Sequence, residues 1–259
     1  MPVSPEPADI ALHGPDGVTV PVKLLTASAR LPGRAYEHDA AYDLHAAEEL
    51  VIEPLGRAVV GTGVALGLPP GLAALTVPRS GLAARHGISI VNAPGLIDPG
   101  YRGEVRVILL NTDREHDFRV AVGDRIAQLL FMPLTTVDLA ATEELVIEPL
   151  GRAVVGTGVA LGLPPGLAAL TLPRSGLAAR HGVSIVNAPG LIDPGYRGEV
   201  RVILLNSDRD EAFRVAVGDR IAQLLFLPLT KVDLAATDEL DETERGPQGF
   251  GSSGRGEKA

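Results

Sequence analysis

The sequence predicts an all-β fold, a barrel or sandwich whose core is written twice along the chain. Three observations carry this. Residues 46–140 and 141–235 align without a gap and differ at nine of 95 positions, a period too long for a solenoid repeat and suited to a duplicated domain core. Within each copy, short apolar runs rich in β-branched residues are separated by glycine and proline, the spacing of many short strands. The one helix-like stretch per copy, Ser80–Arg85 and its duplicate, is too short to change the class.

Taken in order, Val18–Leu25 reads as an opening strand that occurs once. Inside the first copy, Arg57–Val60, Leu72–Leu75, Glu104–Leu110 and Arg125–Phe131 read as strands. The run from Val105 to Leu110 begins with apolar/polar alternation, as a half-buried strand should. Gly67-Leu68-Pro69-Pro70-Gly71 and Ala93-Pro94-Gly95 are turn chemistry. These readings divide the chain into a first barrel over residues 1–140, a second over 141–239 that lacks the opening strand, and a tail over 240–259. The tail is Gly/Ser-rich and polar, so it cannot pack a core and should be mobile in isolation. Phe250 within it is odd for a pure linker.

Composition excludes several classes of function. The hydrophobic fraction of 46% with 21% charge suits a globular protein with real cores. A net charge of −9 and an aromatic content of 3% argue against non-specific nucleic-acid binding and stacking on single strands. A small anion held by local arginines and backbone N–H groups remains compatible. With no cysteine, disulfides and thiolate metal sites are excluded. No apolar run is long enough to span a bilayer and no signal segment opens the sequence, so the cytoplasm is the expected compartment, with no membrane partner.

Four short constellations carry chemistry. Pro78-Arg79-Ser80-Gly81-Leu82-Ala83 sets a cation, a hydroxyl and a glycine where a turn opens a short helix, which suits either an anion or a simple helix start. The stretch from Asn92 to Glu104 flanks Asp98 and Tyr101 with turn residues. There the carboxylate serves either as a general base toward water or in an Asx-turn. Gly123–Gln128 is a turn entering a strand, in which Asp124 and Arg125 suit structural pairing and Gln128 suits a phosphate. His86 and His181 follow the short helices with no partner at metal-ligand spacing and read as structural.

Together these segments resemble the trimeric dUTPase (dUTP diphosphatase) family, which has five ordered motifs. Ala41-Tyr42-Asp43-Leu44 is similar to the first, Pro78–Ala83 to the second, and Gly95-Leu96-Ile97-Asp98 through Tyr101-Arg102-Gly103 to the third. Gly123–Gln128 is similar to the fourth and Arg245–Gly254 to the fifth. The resemblance implies a jelly-roll barrel, duplicated in tandem, with a flexible C-terminal arm. It implies hydrolysis of dUTP to dUMP and pyrophosphate, with Asp98 or Asp193 activating the attacking water. Tyr101 and Tyr196 would pack under the deoxyribose. Asn92, Leu96 and Ile97 would read the uracil edge, with Asn187, Leu191 and Ile192 as duplicates. Arg79, Ser80, Gly81 and Gln128 would hold phosphate, duplicated as Arg174, Ser175, Gly176 and Gln223. Arg106 and Arg201 also fall in the binding set. From the tail, Phe250 would stack on the base while Arg245, Gly251, Ser252 and Ser253 close over the phosphates. Asp43 would anchor water around a Mg²⁺ carried by the triphosphate, with Asp138 as its surrogate, since Val137-Asp138-Leu139 sits at the offset of Tyr42-Asp43-Leu44.

The family builds each site at a subunit boundary of a threefold ring, so a homo-oligomer is expected. Here the second, third and fourth motifs occur twice, whereas the opening strand and the arm occur once. With one arm, a chain completes at most one site. Two other readings compete: a deaminase of the related dCTP-acting group, and a catalytically impaired barrel kept for binding or regulation.

Overall fold

The computed structural model describes residues 18–36 and 39–229. The arm, with Arg245, Phe250, Gly251, Ser252 and Ser253, lies outside the described residues. No helix among those described is long and apolar enough to cross a membrane.

The first barrel is all antiparallel. Strands β1 (Val22–Leu24), β4 (Arg57–Leu66), β8 (Glu104–Asn111) and β6 (Ile88–Ile90) form one sheet in the order β1-β4-β8-β6. Strands β2 (Tyr42–His45), β10 (Arg125–Pro133), β5 (Leu72–Val77) and β7 (Gly95–Ile97) form a second, in the order β2-β10-β5-β7. A short ribbon, β3 (Leu50–Ile52) with β9 (Phe118–Val120), completes it. Alternate residues of the sheets turn inward, so Leu44, Val60, Val107, Leu109 and Leu129 share one apolar core. Each such side chain contributes about 1.5–3 kcal/mol when fully buried. The sequence marks β4 only to Val60. The strand runs on to Leu66 through a bulge at Gly61–Ala65, where Gly63 takes φ +65° and its N–H reaches Glu104 Oε1 at 2.7 Å. Helix α1 (Ser80–His86) ends at Gly87, whose left-handed φ of 63° lets its N–H cap the last turn.

The second barrel repeats this plan. Its sheets are β13 (Arg152–Ala160), β17 (Glu199–Asn206) and β15 (Val183–Ile185), then β11 (Thr136–Ala140), β19 (Arg220–Pro228), β14 (Leu167–Pro173) and β16 (Gly190–Ile192). The ribbon is β12 (Leu145–Ile147) with β18 (Phe213–Val215), and helix α2 spans Ser175–His181. A boundary between residues 140 and 141 is not where the strands divide. Strand β11, assigned from the sequence to the first barrel, pairs with β19 and sets Asp138 opposite Gln223, as β2 sets Asp43 opposite Gln128. The alternation explains it: Leu139 enters the second core at 1% exposure, as Leu44 enters the first at 0%. Among the described residues the second barrel has no counterpart of β1. The last turn of β13 is therefore open, with Val159 37% exposed where its duplicate Val64, covered by β1, is 1% exposed.

The barrels meet along two apolar contacts. Leu75 packs with Leu172 and Leu225, and Ala178 of α2 packs with Val91 and Ile108 of the first barrel. Beside them, Arg57 Nη1 donates to Asp208 Oδ2 at 2.9 Å.

Candidate active site

Each barrel carries an ion-pair clamp beside its short helix. In the first, Asp43 is buried at the centre: Arg79 Nε lies 3.3 Å from its Oδ1, Arg125 Nη1 donates to Oδ2 at 3.1 Å, and Gln128 Nε2 donates to Oδ1 at 3.3 Å. Burial pulls the Arg79 guanidinium below its ordinary pKa while Asp43 pushes it back, and an arginine so paired stays charged. Burial also lowers His45 next door, so this histidine is neutral at pH 7. In the second barrel Asp138 receives Arg174 and, at 3.3 Å, Arg220 Nη1. Asp138 thus reproduces the clamp, in a more open setting.

The clamp bears on how Asp43 and Asp138 could meet a Mg²⁺ carried by a nucleotide. Both oxygens of Asp43 already accept from guanidinium or amide donors, and a cation there would face two positive charges. The donor set does not fit a direct metal ligand and leaves contact through water as the route. Among the described residues no group of three or more His, Asp or Glu is arranged to hold a metal ion.

The third constellation forms a hairpin that follows β7. Thr76 Oγ1 donates to the Gly95 carbonyl at 3.2 Å, and a Cβ on Gly95 would lie 2.3 Å from that hydroxyl, so only glycine lets the strands approach this closely. The Tyr101 N–H donates to the Asp98 carbonyl at 3.0 Å and closes the turn. The Tyr101 hydroxyl donates to the Glu104 carbonyl at 2.8 Å, and the ring lies against Gly103, where a Cβ would fall 2.6 Å from its hydroxyl. Asp98 and Tyr101 are exposed on this rigid turn.

The hairpin of the first barrel faces the helix of the second. Asn92, Leu96, Ile97, Asp98, Tyr101 and Arg106 line a cleft of about 360 Å³ whose far wall is Ser175, Gly176 and Ala179. A neighbouring cleft of about 680 Å³ shares Leu96, Asp98, Ser175 and Gly176 and continues to Arg174, Arg180 and Gln223. One carboxylate therefore stands across from a hydroxyl, a helix start and several cations, an arrangement suited to a phosphate ester and a water to attack it.

The dUTPase family model matches residues 27–137 and again 136–254, nearly the whole chain. The chain belongs to the dUTPase family. The two matched dUTPase segments meet where β11 begins, in agreement with the strand pairing. The chain is similar to the deoxyuridine 5'-triphosphate nucleotidohydrolase of Leifsonia xyli subsp. xyli, 54% identical over 117 residues, 45% of this chain and 77% of that protein. It is 55% identical over 123 residues to the protein of the same name from Corynebacterium efficiens, 48% of this chain and 68% of that one. The Corynebacterium glutamicum protein of that name is 54% identical over 119 residues, 46% of this chain and 80% of its own length. Each of these relatives aligns with a little under half of this dUTPase-family chain.

Of the residues singled out in the sequence, one mixed set comes together: the hairpin of the first barrel with Arg174, Ser175, Gly176 and Gln223 of the second. The complementary set does not. Asp193, Tyr196, Asn187 and Arg201 are exposed, Leu191 is 59% exposed, and Ile192 is buried in its own barrel. Arg79, Gly81 and Gln128 stay in the first barrel's clamp and helix, with Ser80 exposed beside them. Sequence reasoning missed Arg180, which reaches the cleft from the last turn of α2, and Arg220, the second cation on Asp138. Nothing in the sequence distinguishes Arg180 from its exposed duplicate Arg85. His86 and His181 rest against Phe118 and Phe213, with ring centroids 5.5 and 5.2 Å apart, as structural histidines do.

Proposed function

We propose that the chain hydrolyses dUTP to dUMP and pyrophosphate in the cleft between its two barrels. The observation that carries this reading is the shared cleft in which Asp98 and Tyr101 of one barrel oppose Ser175 and Gly176 of the other. Asp98 takes a proton from a water whose oxygen attacks the α-phosphorus. The bond to the bridging oxygen breaks, and pyrophosphate leaves with that oxygen. Ser175, Gly176 and Gln223 hold phosphate oxygens, with Arg174 and Arg180 supplying positive potential as charge builds on the leaving group. Asn92 and the backbone at Leu96 and Ile97 pair with the uracil edge, while Tyr101 leaves no room for a ribose 2′-hydroxyl. A site built this way rejects other bases because its polar groups would be left unpaired. Magnesium enters with the nucleotide, as part of the substrate.

The test compares pyrophosphate release by Asp98→Asn and Asp193→Asn at low chain concentration. Loss of a general base costs roughly 10²–10⁴-fold in rate, and that loss is expected for Asp98→Asn alone. Equal losses in the two variants would mean that the mixed cleft is not the working site. No loss in either would sink the reading.

A further inference from the structure

We propose that Thr76 is a positioning residue for the base: its hydroxyl holds the peptide between Gly95 and Leu96, and so sets the preference for uracil over cytosine. The inference rests on the proposed function, in which the backbone at Leu96 and Ile97 meets the base. Thr76 lies on β5 directly opposite Gly95 of β7, and it lines the same cleft as Asn92, Leu96, Ile97 and Asp98. It is 5% exposed, between Leu75 and Val77, both of which pack in the apolar seam. A valine would fill that place with nearly the same shape and strand preference, and a buried hydroxyl costs free energy unless it is bonded. Here it is bonded: Thr76 Oγ1 donates to the Gly95 carbonyl at 3.2 Å.

What that bond fixes is a direction. The Gly95 carbonyl and the Leu96 N–H belong to one planar peptide, so anchoring the oxygen anchors the N–H. Gly95 has no side chain to hold that plane, and its backbone is freer than that of any other residue type. The restraint comes from its neighbours: a Cβ there would lie 2.3 Å from Thr76 Oγ1 and 2.6 Å from Asn92 Nδ2, so peptide, hydroxyl and amide are in close contact. The chemistry of the base makes the direction matter. Uracil carries a carbonyl where cytosine carries an amino group. A backbone N–H aimed at that carbonyl pairs with uracil and meets cytosine donor against donor. A peptide free to tilt relieves that clash and lets the wrong base stay. A held peptide keeps both donors unpaired and rejects it.

The second barrel holds the same bond in a different setting. Thr171 Oγ1 donates to the Gly190 carbonyl at 3.3 Å, and Thr171 is 6% exposed. Its hairpin lies outside the mixed cleft, with Leu191 59% exposed where Leu96 is half-buried. What the hydroxyl does for strand geometry it does at both positions. What it does for the base it does at Thr76 alone.

The experiment measures, by equilibrium dialysis at low chain concentration, the affinity of the full chain for a non-hydrolysable imido analogue of dUTP and for its cytosine counterpart. Steady-state release of pyrophosphate from dUTP is followed in parallel. Thr76→Val removes the hydroxyl and keeps the volume. It is expected to weaken binding of the dUTP analogue by roughly 3- to 10-fold, the strength of one neutral hydrogen bond. The ratio between the two bases should narrow by a similar factor, and KM should rise more than kcat falls. Thr76→Ser, which keeps the hydroxyl, is expected to restore both affinity and ratio. Thr171→Val is expected to bind both analogues as the wild type does. Wild-type affinities in Thr76→Val, or an equal loss in Thr171→Val, would overturn the proposal and leave the hydroxyl a device for pairing strands. A wild type that binds the dUTP analogue selectively yet releases no pyrophosphate would refute the proposed activity, while the binding comparison still decides the role of Thr76. A wild type that binds neither analogue would overturn both.

Discussion

Asp43 and Asp138 occupy the same register position in two copies of one barrel, yet their surroundings give them different energetic weight. Asp43 sits between Arg79 and Arg125 with all three side chains at or below about a tenth exposed. Asp138 and Arg220 stand 37% and 64% exposed. Removing one partner of a buried pair leaves an uncompensated charge and costs about 3–5 kcal/mol, whereas an exposed pair is worth about 0–1 kcal/mol. Asp43→Asn is therefore expected to destabilise the chain by about 3–5 kcal/mol and Asp138→Asn by about 0–1 kcal/mol in urea unfolding. Equal effects would show that screening, not burial, sets the strength of the clamp. The sequence makes Asp138 visible through its offset. It does not make visible that the carboxylate is spent on arginines, because Arg79 and Arg174 lie far from Asp43 and Asp138 along the chain.

At the level of elements, the proposed chemistry depends on the hairpin, and its shape rests on glycines. Gly103 and Gly198 are where the tyrosine rings lie against the backbone: a Cβ would come within 2.6 Å of the Tyr101 hydroxyl and 2.5 Å of that of Tyr196. Gly103→Val should push the Tyr101 ring out of the cleft. A displacement of about 1 Å costs roughly 100-fold in rate, so kcat/KM is expected to fall by about that factor. Gly198→Val imposes the same local strain on a hairpin outside the mixed cleft. It should leave turnover near wild type when the chains are dilute, and a matching loss there would assign catalysis to the wrong hairpin. Strands such as β8 are legible in the sequence because alternate residues, Val105, Val107 and Leu109, are buried against one core. The extension of β4 beyond Val60 is not legible, since a bulge breaks the period. The pairing of one barrel's hairpin with the other's helix is not legible either. Two copies that differ at nine positions in 95 give a reader no means of telling Ser80 from Ser175 as the neighbour of Asp98. Only the tertiary contact decides.

For the whole molecule, the question is what fastens one barrel to the other, since the proposed site lies between them. Two kinds of contact compete. Arg57 and Asp208 form an ion pair with side chains 23% and 20% exposed. The Asp208 carboxyl is pulled down to about 2, first by the backbone N–H groups of Asp210 and Glu211 and then by Arg57. Its folded pKa lies below the ordinary 3.8. Its contribution is thus present above pH 3.8 and is lost as pH falls toward 2, so it is intact at neutral pH. The other contact is apolar: Leu172 and Leu225 are at 0% exposure and pack with Leu75 of the opposite barrel. Truncating a buried leucine costs about 2–5 kcal/mol, whereas the attraction in a single half-covered ion pair is largely offset by the desolvation of its two charges. The apolar seam should therefore govern the coupling. In scanning calorimetry at pH 7, Leu225→Ala is expected to lower and split the transition, with the second barrel melting first because, among the described residues, no strand covers β13 as β1 covers β4. Arg57→Ala is expected to shift the transition only slightly, and 1 M salt, which shortens the screening length to about 3 Å, should move the wild type little. A split produced by Arg57→Ala or by salt, with Leu225→Ala melting as one unit, would mean that charge and not the leucine seam holds the two barrels in register.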